Sequence, residues 1–83
     1  MSIMKCRIKA FGISREIVGG RLVEIELVEG QTVLELKKQL FKKYPALDAL
    51  QSVYVAVNNE YADESALLKE GDEIALIPPV SGG

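Results

Sequence analysis

The residues with the clearest chemical potential are the last six, Pro78-Pro79-Val80-Ser81-Gly82-Gly83. A terminal Gly-Gly presents an unhindered α-carboxylate, and glycines carry no Cβ, so they can pass through a narrow channel. The two prolines fix φ at about −65° and favour an extended stem. At about 3.3 to 3.6 Å per residue, six residues reach about 20 Å. We therefore expect residues 78–83 to form a flexible arm, the tail, that carries the Gly83 carboxylate into another protein's active site.

The remaining residue types offer little catalytic chemistry. One cysteine and no histidine exclude an internal disulfide and disfavour both metal ligation and a Cys–His nucleophile. Cys6 alternates with Met4 and Ile8 on the apolar side of a strand-like run, so a buried cysteine is expected rather than a reactive thiol. We predict no metal site and no bound cofactor.

Composition limits the classes of function. The 83 residues are 48% hydrophobic and 27% charged, which predicts one folded domain. A domain this small has little room for a deep pocket, so any chemistry is expected to need a partner. The net charge of −2 and scattered basic residues argue against nucleic-acid binding. Without an apolar run of about 18 residues or an N-terminal apolar leader, we expect no membrane association and a cytoplasmic location.

The first half of the chain predicts two strands and the main helix. Alternation gives a strand at residues 3–10, then a short helical turn at 13–18 and a strand at 21–28 whose Val23, Ile25 and Leu27 face the core. Thr32 and Glu35 have the spacing of a capping box, so a helix starts at Val33, and Pro45 ends it. Its apolar stripe is interrupted by Lys37, whose stem can pack while its amine reaches water. The clustered lysines 37, 38, 42 and 43 are interpreted either as a dock for an acidic partner or as cations that favour the helix C-terminus.

The second half predicts a loop or single turn at residues 46–51 and a strand at 53–57. Asn58-Asn59 then forms a turn toward a short strand at Tyr61, and the last strand covers residues 73–77. This order predicts an α+β, ubiquitin-like β-grasp fold, a mixed sheet crossed by one main helix with the first and last strands adjacent at its centre. The expected organisation is a domain at residues 1–77 followed by the tail at 78–83.

Several short segments, together with this fold, resemble the small-subunit family of molybdopterin synthase. They are Arg15-Glu16-Ile17, Val57-Asn58, Gly71-Asp72-Glu73-Ile74 and the Pro-Pro-x-x-Gly-Gly ending. The resemblance implies a sulfur carrier: a ubiquitin-activating-like adenylyltransferase converts the Gly83 carboxylate to a transient glycyl-AMP, and sulfur then displaces AMP to leave a thiocarboxylate, a 1-thioglycine.

The same resemblance implies a partner that holds the catalytic pocket. Gly82, Ser81, Val80, Pro79 and Pro78 would thread into the large subunit of molybdopterin synthase, where the sulfur is donated to cyclic pyranopterin monophosphate to build the dithiolene of molybdopterin. The chain would be a sulfur-donating subunit without acid or base residues of its own. Two small and two large subunits are the assembly that the family implies.

Three apolar residues are expected to contact the large subunit. Alternation places Ile74 and Leu76 toward the core and leaves Ile77 on the opposite face, next to the root of the tail. The resemblance adds Phe11 and Tyr61 to this surface, since an exposed apolar patch normally marks an interface. The alternative is that Phe11 and Tyr61 complete a small core.

Three other functions remain open. The chain could be a thiamine-pathway sulfur carrier, although such carriers generally lack the Pro-Pro-Val-Ser approach. It could be a ubiquitin-like modifier, whose activated Gly83 is captured by a lysine amine instead of by sulfur. A structural adaptor is the third possibility, and deleting Gly82-Gly83 discriminates it, because an adaptor would work without them.

Overall fold

The computed structural model describes residues 2–50 and 53–78. In these ranges the chain forms five strands, one main helix and two short helices. In chain order they are β1 (Ile3–Ala10), α1 (Ile13–Val18), β2 (Leu22–Val28), α2 (Val33–Lys43), α3 (Pro45–Asp48), β3 (Tyr54–Val57), β4 (Glu60–Tyr61) and β5 (Ile74–Ile77). The predicted strands, the first helical turn and the main helix are present within one residue of their expected bounds. α3 forms the first part of the loop or single turn predicted at residues 46–51, of which Gln51 lies outside the described residues.

The strands form one mixed sheet in the order β2-β1-β5-β3-β4. β1 and β5 lie side by side and parallel, whereas the β1–β2, β3–β5 and β3–β4 pairs are antiparallel. The first and last strands therefore occupy the centre of the sheet, which confirms the predicted β-grasp arrangement. The expected boundary at residue 78 stays a prediction, because residues 79–83 lie outside the described residues.

Alternation along the strands separates a core face from an open face. The buried residues of β1 and β2 alternate with exposed ones, apart from the half-buried Val28 at the end of β2. They include Met4, Cys6, Ile8, Val23, Ile25 and Leu27. Val33, Leu36 and Leu40 of α2 lie in the same buried cluster. Because α2 covers only this side, the hydrophobic stabilisation is concentrated there, at roughly 1.5 to 3 kcal/mol for each fully buried aliphatic side chain.

Local signals fix both ends of α2. The Thr32 hydroxyl accepts a hydrogen bond from the Glu35 backbone N–H at 3.4 Å, which is the first half of the predicted capping box. The second half of a capping box is a bond from the Glu35 side chain back to the Thr32 backbone N–H. Here the Glu35 carboxylate instead lies 3.8 Å from Lys38 Nζ. At the other end Tyr44 caps the helix, and Pro45 occupies the first turn of α3.

The clustered lysines of α2 contact groups of this chain. Lys37 Nζ lies 3.1 Å from the Glu64 carboxylate, so its stem packs as predicted while its amine forms an ion pair. Lys38 pairs with Glu35, and Lys43 Nζ lies 5.6 Å from the Tyr44 ring centroid. These contacts, together with the position of Lys42 and Lys43 in the last turn, favour the helix-stabilising interpretation over the dock for an acidic partner.

The β3–β4 turn is tied to the start of β5. Asn58 and Asn59 both have positive φ, 53° and 70°, as a two-residue hairpin turn requires. The Asn58 side chain accepts from Glu73 N at 3.0 Å and donates to Asp72 Oδ1 at 3.1 Å, while Asp72 Oδ2 accepts from Lys69 N at 2.8 Å. This link joins two of the short segments that the sequence singled out, through Asn58 on one side and Asp72 and Glu73 on the other.

Candidate functional site

The root of the tail is held at the centre of the sheet. β5 pairs with β1 through Ala10 and Leu76, and with β3 through Tyr54 and Ile77. Pro78, the first residue after the strand, is half-buried. A rigid central strand therefore delivers the chain to the tail. Of the predicted tail residues only Pro78 is described; Pro79, Val80, Ser81, Gly82 and Gly83 lie outside the described residues.

The structure brings the three predicted partner-contact residues together. Phe11, Tyr61 and Ile77 line one groove of about 370 Å³ on the open face of the sheet. The groove is completed by Lys9, Ala56, Asn59, Glu73, Ile74 and Ala75. We call this set the tail-root groove, because β5 runs through it to Pro78.

Exposure decides between the two interpretations of these residues. Phe11 is 42% exposed and Tyr61 is 72% exposed, so neither completes the core, and that alternative is wrong. Ile77 is half-buried rather than fully exposed, because Tyr54 lies opposite it on β3. The groove therefore combines the exposed aromatic side chains of Phe11 and Tyr61 with the buried residues Ala56 and Ile74. Exposed apolar side chains of this kind are typical of a protein-contact surface.

Tyr54 adjoins the tail-root groove through its contact with Tyr61, and the sequence reasoning missed it. Its ring meets the Tyr61 ring edge to face, with centroids 5.7 Å apart and planes at 74°, and its side chain is 54% exposed. Alternation could have revealed it, since Val53 and Val55 face the core and Tyr54 must face the other way. Tyr54 and Tyr61 together extend the apolar surface toward the edge of the sheet.

Cys6 is separate from this surface. Its side chain is 3% exposed on the core face of β1, so the predicted buried cysteine is confirmed. Burial raises the pKa of the Cys6 thiol, and the charge of Asp72 raises it further. A raised pKa leaves less thiolate at neutral pH, so Cys6 is a poor nucleophile and a poor acceptor of sulfur.

A second cavity lies between α2 and the β3–β4 edge. It has a volume of about 840 Å³, with Phe41, Leu50 and Tyr54 in its lining and the Lys37–Glu64 ion pair among its polar groups. Within residues 2–50 and 53–78, no group of three or more metal-binding side chains comes together, and no helix is long and apolar enough to cross a bilayer. The described part of the chain thus offers a contact surface and a tail root.

Comparisons with known proteins agree with this geometry. The sequence profile of the ThiS family matches residues 8–83. The chain belongs to the ThiS family. Among curated relatives of this ThiS-family chain, one from Mycobacterium tuberculosis is 41% identical over 83 residues, covering 98% of this chain and 100% of the relative. One from Chlamydomonas reinhardtii is 39% identical over 83 residues, covering 96% and 100%. Both are named molybdopterin synthase sulfur carrier subunit, which confirms the resemblance that the sequence motifs indicated.

Solved structures extend the similarity of this ThiS-family chain. A Pyrococcus furiosus protein described as molybdopterin converting factor subunit 1 has a TM-score of 0.84 at 30% identity, with 93% of this chain and 99% of that chain covered. A chain from a complex of subunits 1 and 2 of the Helicobacter pylori molybdopterin-converting factor scores 0.65 at 28% identity, covering 96% and 100%. The small archaeal modifier protein 1 of Haloferax volcanii scores 0.81 at 28% identity, covering 93% and 99%.

Proposed function

We propose that this chain is the sulfur carrier subunit of a molybdopterin synthase and that the Gly83 carboxylate carries the sulfur. The observation that supports this most strongly is its similarity, over nearly its whole length, to curated sulfur carrier subunits. The tail-root groove gives separate support, because its exposed apolar side chains lie beside the point where the chain leaves β5. A sulfur carrier needs a surface that binds its partner next to the tail that enters the partner's active site.

Loading the tail requires activation, because a carboxylate oxygen is a poor leaving group. In the proposed first step a Gly83 carboxylate oxygen bonds to the α-phosphorus of ATP and pyrophosphate leaves, giving glycyl-AMP. In the second step a sulfur donor at the sulfide level attacks the acyl carbon and AMP leaves with the bonding electrons. The product is a C-terminal thiocarboxylate, and two feasible substitutions replace one difficult one. A ubiquitin-activating-like adenylyltransferase would supply the site for both steps.

Delivery takes place in the large subunit. The tail, Pro78 to Gly83, threads into its pocket, and the thiocarboxylate sulfur attacks a side-chain carbon of cyclic pyranopterin monophosphate. A carbon–sulfur bond forms as a carbon–oxygen bond at the same carbon breaks, and the oxygen leaves with the bonding electrons. Water then cleaves the acyl–sulfur bond, so the carboxylate returns on Gly83 and the sulfur stays on the pterin. Two deliveries complete the dithiolene. This chain provides the sulfur and the arm, while the large subunit provides the acid–base chemistry.

The large subunit docks on the tail-root groove in this proposal. A structural neighbour that is itself part of a two-subunit complex supports a partner of this kind. The apolar groove is flanked by Lys9 and Glu73, which resembles the apolar centre and polar rim of typical interfaces. An assembly of two small and two large subunits in the cytoplasm, where ATP is available for adenylation, completes the proposal.

One specific observation favours a second candidate function. The similarity to a small archaeal modifier protein suggests that the same activated Gly83 could be captured by a lysine amine. The chemistry differs only in the nucleophile that displaces AMP. Thiocarboxylate formation indicates a carrier, whereas an isopeptide bond between Gly83 and a lysine indicates a modifier.

Reconstitution tests the carrier function directly. The full chain is incubated with adenylyltransferase, ATP and sulfide, then combined with the large subunit and the pterin precursor, and molybdopterin is measured by fluorescence of its oxidised derivative. We expect product with the native chain and with Leu67→Ala, an exposed position away from the groove. Deletion of Gly82-Gly83 should abolish it. Undiminished product from the deleted chain would overturn the carrier function and support an adaptor.

A further inference from the structure

The loop between β1 and α1 lies directly against the root of the tail. Gly12 has φ 57° and ψ −137°, a backbone conformation that is essentially restricted to glycine. A Cβ added at Gly12 would lie 3.3 Å from Cγ of Pro78, closer than most real contacts of this kind. The loop backbone therefore approaches the Pro78 ring more closely than a side chain at this position would fit without a shift of the ring.

Ser14 fixes the backbone of Phe11, the residue just before Gly12. Its side chain is fully buried, and its hydroxyl accepts a hydrogen bond from Phe11 N at 3.0 Å and donates one to Phe11 O. Both backbone polar groups of Phe11 are thus tied to one buried side chain. Because the hydroxyl makes two bonds at once, the loop cannot rotate at Phe11 without breaking one of them.

Arg15 connects the same loop to the sheet. Its Nε donates to the carbonyl of Ala10 at 3.0 Å, and its guanidinium carbon lies 5.7 Å from the Phe11 ring centroid. Ala10 is the residue of β1 that pairs with Leu76 of β5, two positions before Pro78. The Arg15 side chain therefore links the Phe11 ring to the end of β1, beside the part of β5 that leads to Pro78.

We propose that Gly12, Ser14 and Arg15 are positioning residues for sulfur delivery. They set the direction in which the chain leaves β5 at Pro78, and they hold Phe11 toward the partner, so that groove and tail are presented together. This inference rests on the proposed carrier function. Direction matters because the two prolines favour an extended stem, so the path taken at Pro78 biases where the Gly83 carboxylate enters the partner. A misplacement of about 1 Å can cost a reaction about 100-fold in rate.

The test compares Gly12→Ala with Gly20→Ala. Gly20 has no atom within 4 Å of an added Cβ and no positive φ, so its variant is a matched control for adding one methyl group. The first measurement needs no partner: a nitroxide is attached through Ser81→Cys in each chain, and the paramagnetic broadening of backbone amides is mapped by NMR. We expect the broadening map to change in Gly12→Ala and to stay the same in Gly20→Ala. Identical maps in all three chains would overturn the positioning role.

The second measurement follows delivery itself. Chains without the label receive a C-terminal thiocarboxylate by sulfide cleavage of an intein fusion, which bypasses the adenylyltransferase. Single-turnover sulfur transfer is then measured with saturating large subunit. We expect the rate at saturation to fall at least about 10-fold in Gly12→Ala, whereas loss of fold alone would leave the rate of the folded fraction unchanged. Equal rates for both glycine variants would contradict the inference.

Ser14 keeps the inference testable if Gly12→Ala does not fold. Ser14→Ala removes both bonds to Phe11 without adding an atom to this buried position. We expect Ser14→Ala to alter the broadening map and to lower the saturating transfer rate relative to the native chain. A broadening map and a saturating rate in Ser14→Ala identical to those of the native chain would overturn the proposal. Failure of the native thiocarboxylated chain to transfer sulfur would instead refute the carrier function, while the broadening maps would still decide the positioning role.

Discussion

Replacing Asn58 measures how strongly the β3–β4 turn holds the start of β5, the strand that carries the tail. Asn58 has φ 53°, and its side chain makes two hydrogen bonds, one from Glu73 N at 3.0 Å and one to Asp72 Oδ1 at 3.1 Å. The residue therefore contributes in two ways, through its tolerance of a left-handed backbone and through its amide group. Two substitutions separate these contributions.

The expected magnitudes follow from this geometry. Asn58→Gly keeps the backbone conformation available but removes both hydrogen bonds, which are solvent-exposed and contribute about 0.5 to 1 kcal/mol each, so we expect a loss of about 1 to 2 kcal/mol. Asn58→Ala loses the same bonds and also puts alanine, which tolerates the left-handed region less well than asparagine, at φ 53°. That strain adds about 1 kcal/mol, for a total of about 2 to 3 kcal/mol.

Urea and thermal unfolding measure both variants. In a domain of this size each kcal/mol lowers Tm by about 4 to 8 °C, so Asn58→Ala should lower it by about 8 to 24 °C. Asn59→Gly is the matched control, because Asn59 has φ 70° in the same turn and makes no side-chain hydrogen bond with the described residues. Equal stability of Asn58→Gly and Asn59→Gly would refute the reasoning.

Three further predictions concern the core, the groove and the buried thiol. Leu36→Ala should lower the free energy of unfolding by about 2 to 5 kcal/mol in urea, because Leu36 is fully buried, whereas Leu34→Ala on the exposed side of α2 should change it by less than about 1 kcal/mol. Tyr61→Ala should raise the Kd for the large subunit at least about 10-fold in calorimetry, while Leu67→Ala, at a position that is also well exposed, leaves it unchanged. Cys6 should react slowly with a thiol reagent in the folded chain. Since burial raises the pKa of the Cys6 thiol, the folded state should lose stability as the pH rises past the ordinary pKa of a cysteine thiol.

Each of these has a clear contrary result. Similar losses for the two leucine variants of α2 would contradict the assignment of its buried face. Equal effects of Tyr61→Ala and Leu67→Ala on binding would place the large subunit elsewhere. For Cys6 the sign follows from its raised folded-state pKa: the stabilisation is complete below the unfolded pKa and is lost as pH passes the folded one. A Cys6→Ala variant with the same alkaline loss of stability would assign that loss to another group.

Most of the fold was predictable because local rules act within short segments. Alternation located β1 and β2, and Thr32 and Pro45 marked the limits of α2. The order of elements then left few topologies that keep short connections and a single core. These rules use neighbours in sequence, so they need no knowledge of the finished structure.

The contacts between distant residues were harder to predict. Phe11, Tyr61 and Ile77 were expected at an interface, but nothing in their spacing shows that they line one groove. The bonds from Ser14 to Phe11 and from Asn58 to Asp72 depend on side-chain rotamers and on the register between β3 and β5. Only the assembled sheet brings these groups within hydrogen-bond distance.

The central claim, that Gly83 carries sulfur, is tested most directly by intact mass spectrometry with fragmentation of the C-terminus. The chain is incubated with adenylyltransferase, ATP and a sulfur donor. Exchange of one oxygen for sulfur adds about 16 Da, close to oxidation of a methionine or of Cys6, so fragment ions must place the change on Gly83. We predict a sulfur at Gly83 that is absent when ATP is omitted or Gly83 is deleted. An unmodified Gly83 under conditions that load a known carrier would contradict the account.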